Sequence, residues 1–483
     1  MIVRDEERFL DGALESMRGV ADEICVVDTG STDASIEIAQ RRGARVQSVA
    51  WRDDFAWARN VSLEMATRRW IFVLDADERL MPSSRTLVQH IGGSPAALRG
   101  AWVRARNLND DYRGSGAMSN ALVRLFPNDP RIRYRNAIHE FVTLDDGEGG
   151  LDAAMTSIEI EHHGYLADVV TDRRKGERNL RLSRAAAERA PNDPYHQYNL
   201  GMAAILAGDR RLAIASLAAM VRLTDGSRRG FRPHGLVTLA DLYLSDGNVA
   251  TALETVDVAI RETPNNPNAH FVRGRIFALD GRLYEARDAF GAAIAAGESS
   301  QEQFVVDEEI ARWKAHSEIG ATLMREERFE EALRWFELAL RVRPDAEPLL
   351  INRAKTLEAL GDRSAALQAF RAAFDTHASE LAGVQYINAL LRHGEPHQAL
   401  AIADQIAPAL AGEAAIRVLG TAVAVASAVG DEPRAKRYLR AALAAGGDAG
   451  AETLRDLYGS LTEGEAALKL LREERASHTL NEQ

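Results

Sequence analysis

Several features that mark other classes of protein are scarce or missing in this sequence. It has one cysteine among 483 residues, Cys25, so a disulfide framework is excluded, and the surrounding apolar run "EICVV" predicts a buried core thiol. The apolar runs are well short of the ~20 residues that a membrane-spanning helix needs. The N-terminal "MIVRDEERF" has acidic residues where a signal peptide has an apolar core. We therefore expect a cytoplasmic protein without a transmembrane segment.

An excess of basic residues is also lacking. The 59 lysines and arginines are outnumbered by 71 aspartates and glutamates, for a net charge of −12. This charge disfavours general attraction to nucleic acid or to an anionic membrane. An anionic ligand would need local help from a metal ion or from particular arginines. With 46% hydrophobic and 27% charged residues, the composition is that of a soluble protein, and the length predicts two or three domains.

The chain does contain an internal repeat with a period of about 34 residues. An alanine stands five residues after each of seven turn positions, which are Gly208, Gly247, Gly281, Glu327, Gly361, Gly394 and Gly430. The longest step, from Gly281 to Glu327, contains "GESSQEQFVVDEEI", which we interpret as an insertion near 298–311. Small residues at a fixed register let paired helices approach closely, and each pair buries its apolar face against the next.

The repeat resembles the tetratricopeptide repeat (TPR) in "YNLG" (198–201), in "FEEALRWFELALRVRPD" (329–345) and in its period, over roughly residues 193–446. The resemblance implies an all-α TPR superhelix at 171–447 with about seven helical pairs, and capping helices and a tail at 448–483. It also implies a protein partner on the concave face. Asn199 and Asn352 share the register of the asparagines that grip peptide in O-linked N-acetylglucosamine transferases, but we interpret them as solvated polar residues.

The first 80 residues alternate between strand and helix patterns. The apolar runs "MIV", "EICVVD", "ARVQSV" and "RWIFVLDADE" are separated by three helical segments. This order predicts an α/β domain at 1–170 with a mostly parallel, Rossmann-like sheet and right-handed crossovers. The first strand begins at Met1 and is shorter than sheets normally contain. We expect either that the protein starts upstream of Met1 or that an edge of the nucleotide pocket is missing.

Acidic residues follow two of these predicted strands. Asp28 ends "ICVVD", and Asp75 and Asp77 form an Asp-x-Asp pattern directly after "FVL". In parallel sheets, ligands bind beyond the carboxyl ends of the strands. Two carboxylates one residue apart can face one hard divalent cation, which in turn neutralises a diphosphate. The pattern therefore predicts a site for a metal ion and a diphosphate at this edge of the sheet.

The ordered motifs "MIVRDEE", "ICVVDTGSTD", "WRDDFAWARN" and "WIFVLDADE" resemble glycosyltransferase family 2 of the GT-A fold, in its branch fused to TPR repeats. The resemblance covers roughly residues 1–165. It implies that Asp28 binds the base, that Asp75 contacts ribose or phosphate and that Asp77 binds the metal. It also places the following further residues at the donor: Arg4, Glu6, Asp54, Arg59 and Asn60. "RDEE" stands where the family usually has lysine-asparagine-glutamate.

Two later stretches extend the resemblance, "ALVRLFPNDPRIRYRNAIHEFV" and "IEIEHHGYL". An inverting transfer needs a carboxylate to take the acceptor's proton, and the resemblance points to Glu140. His162 would complete the metal site, with His163 as a rival ligand. Arg124 would stabilise the departing diphosphate. His139 is either part of the site or a buried structural histidine.

Together these residues favour a metal-dependent, inverting glycosyltransferase of the hexosyl type. We expect a nucleotide-sugar donor, most simply a uridine diphosphate sugar, with Mn²⁺ or Mg²⁺ as cofactor and a peptide, protein or glycan as acceptor. The alternative is a TPR protein-binding scaffold with a vestigial transferase domain. Nucleotidyl transfer is disfavoured because no glycine-rich phosphate loop with a basic residue follows the first strand.

Overall fold

A computed structural model describes residues 1–93, 100–107, 118–144, 151–163, 173–224, 230–299, 306–377, 379–410, 412–460 and 465–481. The chain divides into two compact units, Met1–Ala315 and His316–Gln483. The predicted domain boundary after residue 170 lies outside the described residues.

The strands all belong to the first unit. In chain order they are β1 Ile2–Val3, β2 Cys25–Asp28, β3 Arg45–Ser48, β4 Trp70–Phe72, β5 Glu78–Leu80, β6 Ala101–Asn107, β7 Met118–Pro127, β8 Ile132–Arg135, β9 Phe141–Leu144, β10 Ala154–His162 and β11 Val306–Asp307. Four helices lie among them, α1 Glu7–Ser16, α2 Ser35–Arg41, α3 Phe55–Met65 and α4 Arg85–Gly93. The N-terminal part is therefore an α/β domain, as the alternating pattern predicts.

The first three strands form a parallel sheet in the order β1-β2-β3. Helix α1 buries Leu10, Ala13 and Leu14 on one side, since these residues recur at the three- and four-residue spacing of a helix face. A second sheet has the order β11-β7-β6-β10-β5, and β4 pairs antiparallel with β7. The expectation of four parallel strands therefore holds for three, because the long strand β7 takes β4 as its antiparallel neighbour.

Strand β11 belongs to the insertion in the repeat. Its residues Val306 and Asp307 pair antiparallel with Ser119 and Met118 of β7, so the stretch between two helical pairs adds a strand to the edge of the second sheet. The sequence pattern marks this stretch as extra residues but carries no signal for its pairing, because two residues are too few to show strand alternation.

The rest of the chain is helical. The helices are α5 Arg173–Arg189, α6 Pro194–Leu206, α7 Arg210–Leu223, α8 Arg232–Ser245, α9 Val249–Glu262, α10 Pro267–Leu279, α11 Leu283–Ser299, α12 Ala315–Arg325, α13 Phe329–Val342, α14 Glu347–Ala359, α15 Arg363–His377, α16 Glu380–Arg392, α17 Pro396–Ile406, α18 Gly412–Ala428, α19 Glu432–Ser460 and α20 Glu465–Asn481. From α6 to α19 they form the seven predicted pairs. Helix α19 continues past residue 447, where the sequence predicts the array to end.

The seven turn positions adopt the left-handed backbone conformation on which the repeat register rests. Six are glycines with φ between 74° and 83°, and the seventh, Glu327, has φ 60°. Glycine adopts this conformation without the cost of ~1–2 kcal/mol that a side chain adds. In the second unit, the four alanines that follow the turns by five residues are almost fully buried, namely Ala332, Ala366, Ala399 and Ala435. Ala442, twelve residues after a turn, is fully buried as well.

Close packing within some of the pairs uses a glycine seven residues before the turn. A Cβ atom on Gly274 would lie 2.5 Å from the ring of Phe290, and one on Gly320 would lie 2.8 Å from the ring of Phe336. Both rings are fully buried, so neither can move aside easily. The glycines therefore let the paired helices pack with only an aromatic ring between their backbones.

We expect Gly274→Ala to lower the free energy of unfolding by ~1–3 kcal/mol, because the added methyl group overpacks a rigid aromatic contact. Urea unfolding followed by far-ultraviolet circular dichroism measures the effect. Gly291→Ala in α11 is the matched control, because a Cβ there meets nothing within 4 Å. That control should stabilise by up to ~1 kcal/mol, since alanine favours helix. Equal effects of the two changes would contradict the packing argument.

In the second unit a continuous apolar core runs from α14 to α20. Tyr438 and Tyr458 are its largest fully buried side chains, and Phe370 and Phe374 pack within the same cluster. Within the described ranges, no helix combines the length and apolar character needed to cross a bilayer.

Candidate active site

A cleft of about 770 Å³ opens beyond the carboxyl ends of β1, β2 and β4. Its walls carry most of the residues that the sequence predicts, together with others that it does not. The predicted residues that line the cleft are Arg4, Glu6, Arg59, Asp75, Asp77, Glu140 and His162. The position of Arg4 and Glu6 follows from the parallel pairing of β1 with β2, because the loops after parallel strands meet at one edge. Asp75 and Asp77 follow β4, which belongs to the second sheet.

A buried cluster of charges forms the floor of the cleft. Arg59 is held by two carboxylates, with its Nη2 2.8 Å from Asp75 Oδ1 and its Nε bonded to Glu140 Oε1. Arg124 Nη2 lies 3.0 Å from Asp75 Oδ2 and 2.7 Å from Glu78 Oε1. Both arginines are 7% exposed, and charges buried to this extent need partners of opposite sign. The cluster therefore fixes Asp75 and Glu140 relative to each other.

The cluster also sets the protonation of its carboxyl groups. Burial by itself raises the pKa of Asp75, but the charges of Arg59 and Arg124 outweigh burial and hold that pKa well below its usual range. Burial raises the pKa of Glu78, although the positive charge of Arg124 by itself lowers that pKa. Asp75 is therefore an anion at any ordinary pH and serves as the common anchor of the two arginines.

Glu140 is presented by a loop with an unusual backbone. Asn136 and His139 both have positive φ, at 75° and 53°, a conformation that costs a non-glycine residue energy and that is enriched at functional sites. The carbonyl oxygen of His139 accepts a hydrogen bond from the Tyr195 hydroxyl at 2.9 Å. Burial lowers the pKa of His139, so its ring is neutral. The loop is therefore held on one side by Arg59 and on the other by Tyr195 of α6.

Asp77 and His162 are the pair that could hold a metal ion. His162 Nε2 lies 3.2 Å from Asp77 Oδ2. The ring of His163 instead has its Nε2 3.9 Å from Glu161 Oε2, and the backbone N–H of His163 donates to the Asp77 carbonyl at 2.8 Å. Burial lowers the pKa of His162, but the hydrogen bond to Asp77 and the nearby carboxylates raise it above its ordinary value overall.

The residues present fit a divalent cation in part. Two ligands bound at ~2.1 Å on adjacent octahedral positions lie ~3 Å apart, which is close to the separation of these two atoms. In the described part of the chain, however, no group of three or more His, Cys, Asp and Glu side chains is placed to hold a metal ion. The protein thus offers one carboxylate and one imidazole as ligands. The remaining coordination positions of a metal ion would be filled by phosphate oxygens of a bound nucleotide sugar and by water.

Three of the predicted donor residues bind the protein's own backbone. The Asp28 carboxylate accepts from the N–H groups of Gly30 and Ser31 at 3.1 Å. Asp54 caps α3 by accepting from Trp57 N–H at 2.8 Å. Asn60 donates to the carbonyl of Tyr134 and accepts from its N–H. Of these three, none lines the cleft among the described residues, and their predicted contacts with the donor stay predictions.

The sequence does not predict the wall that helix α5 contributes. Arg178 and Asn179 line the cleft, and α5 is fastened to the loop before α3 by an ion pair of 2.9 Å between Arg181 and Asp53. The guanidinium of Arg178 lies 5.2 Å from the ring centre of Phe55. No motif marks these residues, since they lie on a polar helix between the two recognisable regions. Glu78, by contrast, could have been identified from the sequence, because it directly follows the Asp-x-Asp pattern in "DADE".

Known proteins are similar to both recognisable regions of the chain. The model of the family described as "Glycosyl transferase family 2" matches residues 1–143. A TPR repeat-containing protein of Synechococcus elongatus is 31% identical over 318 residues, which cover 61% of this chain and 74% of the relative. The chain belongs to glycosyltransferase family 2 and carries TPR repeats.

Other proteins are similar to this TPR glycosyltransferase at lower identity. The SPbeta prophage-derived glycosyltransferase SunS of Bacillus subtilis is 22% identical over 284 residues, covering 58% of this chain and 66% of SunS. Among solved structures, a tetratricopeptide repeat protein from Parabacteroides merdae aligns with a TM-score of 0.40 at 14% identity, over 58% of this chain and 98% of that one.

Proposed function

We propose that this protein is a metal-dependent, inverting glycosyltransferase of the hexosyl type that uses a nucleotide-sugar donor, most simply a uridine diphosphate sugar. The acceptor is a peptide, a protein or a glycan, and the repeats bind a protein partner through their concave face. The observation that supports the proposal most directly is the convergence of Asp75, Asp77, Glu140 and His162 in one cleft at the carboxyl edge of the sheet.

Most of the residues named here would bind the donor, and one, Glu140, would act on the acceptor. Asp77 and His162 would hold Mn²⁺ or Mg²⁺, which when bound neutralises the diphosphate. The Nη1 atom of Arg59 is buried and has no hydrogen-bond partner among the described residues, so it is available to donate to a donor oxygen. Arg4, on the exposed rim, adds a second positive charge to the cleft.

Glu140 is the acid–base group of the proposal. It accepts the proton of the acceptor hydroxyl while that oxygen forms a bond to the anomeric carbon. The bond from the anomeric carbon to the diphosphate breaks in the same step, and the nucleoside diphosphate leaves with the bonding electrons. Attack opposite to the leaving group inverts the anomeric configuration. Arg59 forms ion pairs with Glu140 and Asp75 and keeps the Glu140 carboxylate oriented during the transfer.

We expect Asp77→Ala to weaken the binding of uridine diphosphate in the presence of Mn²⁺ by at least ~10- to 100-fold. Removal of a residue that only hydrogen-bonds to a metal ligand typically weakens metal binding by that factor. Removal of a ligand itself should weaken binding at least as much. Calorimetry with uridine diphosphate, with and without Mn²⁺, measures the change.

Asp280→Ala is the matched control, because Asp280 is an exposed residue at the end of α10, in the repeats. It should bind as the unmodified protein does. The absence of any nucleotide binding by the unmodified protein, or binding that is indifferent to both metal and Asp77, would favour a scaffold with an inactive transferase domain.

A further inference from the structure

A second cavity of about 420 Å³ lies on the other side of the buried charges. It shares two lining residues, Arg59 and Glu140, with the cleft of the candidate active site, which we call the donor cleft. A group that enters this cavity therefore reaches the proposed base from the side that the donor does not occupy. The volume falls in the range of ~300–1,000 Å³ typical of small-ligand sites.

The lining of this cavity is unusually aromatic. Aromatic residues make up 6% of the chain but six of the sixteen residues that line the cavity. These six are Trp102, Tyr134, Phe141, Tyr195, Tyr198 and Phe231. They come from the transferase strands and from the first two helical pairs, so the cavity is built jointly by the two parts of the first unit.

Four of these rings form a continuous series along one wall. The ring centres of Phe141 and Tyr195 are 5.6 Å apart, those of Tyr195 and Phe231 5.4 Å, and those of Phe231 and Tyr198 5.3 Å. Phe141 is 40% exposed, although it packs against the others. The rings are tilted against one another, with interplanar angles of 83°, 57° and 31° along the series. Partly exposed rings in contact offer apolar ring faces that packing within the fold does not fully cover.

Polar groups stand at the edges of this surface. The hydroxyl of Tyr198 is hydrogen-bonded to His234 Nδ1 at 2.8 Å, and burial lowers the pKa of His234 to about 4, so that ring is neutral. Arg59 Nη1 and Arg124 Nε are buried and without partners among the described residues. Both arginines line the cavity, are about nine-tenths buried and can each donate a further hydrogen bond. An apolar wall of aromatic rings is therefore combined with fixed hydrogen-bond donors at its edge.

We propose that this aromatic cavity is the acceptor site and that it receives the terminal sugar ring of a saccharide; the inference rests on the proposed glycosyltransferase function. A pyranose ring has an apolar face of C–H groups, which packs on aromatic rings, and a rim of hydroxyls, which accept from guanidinium N–H groups. One acceptor hydroxyl lies towards Glu140, loses its proton to that carboxylate and forms the new bond to the donor's anomeric carbon. The nucleoside diphosphate is released on the opposite side.

A peptide acceptor fits the described residues less well. Gripping an extended peptide requires side chains that bond to its backbone along a groove. Asn199, which the sequence aligns with a peptide-binding register, is only 4% exposed and lies within the packed helices rather than at their surface. The expectation that it is solvated is therefore wrong, and it is not available to a peptide either.

The test is transfer from a radiolabelled uridine diphosphate sugar to two sets of probes, a panel of methyl hexopyranosides and a library of serine- and threonine-containing hexapeptides. Hydrolysis of the donor without acceptor is measured in parallel. We expect transfer to glycosides and none to peptides. Phe231→Leu and Phe141→Ala should each raise the KM for the glycoside about tenfold, since each removes one stacking surface. Phe277→Leu, on α10 outside the cavity, should leave that KM unchanged.

Each other outcome has a definite meaning. Donor hydrolysis with transfer to peptides alone, or to neither set, would overturn the saccharide site and leave the proposed function standing. A glycoside KM that is the same in the unmodified protein and in both variants would do the same. Failure to turn over any nucleotide sugar would overturn the proposed function, and the acceptor site with it.

Discussion

Substitution of Glu140 by glutamine is expected to lower kcat by about 10²- to 10⁴-fold, the contribution typical of a general base. Glutamine keeps the size of the side chain and can still accept a hydrogen bond from Arg59 Nε, which Glu140 accepts in the native protein. It cannot take up a proton from an acceptor hydroxyl. Initial rates of donor turnover over a panel of nucleotide sugars would measure the change and would identify the preferred sugar.

Glu254→Gln is the matched control, because Glu254 is an exposed residue of α9. Its rate should equal that of the unmodified protein. A kcat for Glu140→Gln within a few fold of the native value would assign proton transfer to another group. Restoration of the rate in Glu140→Asp but not in Glu140→Ala would support a carboxylate at this position.

Substitution of Arg59 by methionine is expected to lower the free energy of unfolding by about 3–5 kcal/mol, because it leaves buried carboxylates without their cation. Asp75 and Glu140 both lose a partner, and Asp75 keeps only Arg124. The large fraction of the side chain that is buried makes the effect far larger than for a surface pair. Urea unfolding followed by tryptophan fluorescence measures it, since Trp51, Trp57, Trp70 and Trp102 all lie in the transferase region.

Two comparisons test the physical reason for that loss. Arg181→Met breaks a largely exposed ion pair with Asp53 and should cost no more than ~1 kcal/mol. The double variant Arg59→Met/Glu140→Gln should be more stable than Arg59→Met alone, because one of the orphaned charges is gone. A double variant that is less stable than the single one would mean that Arg59 stabilises the fold by packing rather than by charge.

The fold of the repeats was predictable because its determinants are local. A turn glycine ends each helix and an alanine follows it at a fixed distance, so each unit is specified within a short stretch of chain. The left-handed φ of Gly208 and Gly430, at the two ends of the series, confirms this register. Glu327 kept its place in the series although it is not glycine, because the alanine register around it identified the turn.

The site was predictable only where strand ends define it. Asp75, Asp77, Glu140 and His162 are brought together as the ordered motifs indicate. The partners of Arg59 and Arg124 were not predictable, since they depend on long-range packing between a helix, a loop and two sheets. Nor was the aromatic cavity, because Tyr195 and Phe231 follow no motif and their neighbours lie far away in sequence.

The walls that α5, α6 and α8 contribute have a consequence for how such proteins can be recombined. A chimera joined after residue 170 would keep the Asp-x-Asp sequence but exchange Arg178 in the donor cleft and Tyr195 and Phe231 in the aromatic cavity. We expect its acceptor preference to differ from that of the native protein, because the aromatic cavity is lined by residues of both regions. The first two repeats therefore supply side chains to the cavities, whereas repeats further along the chain could be exchanged without replacing any lining residue of either one.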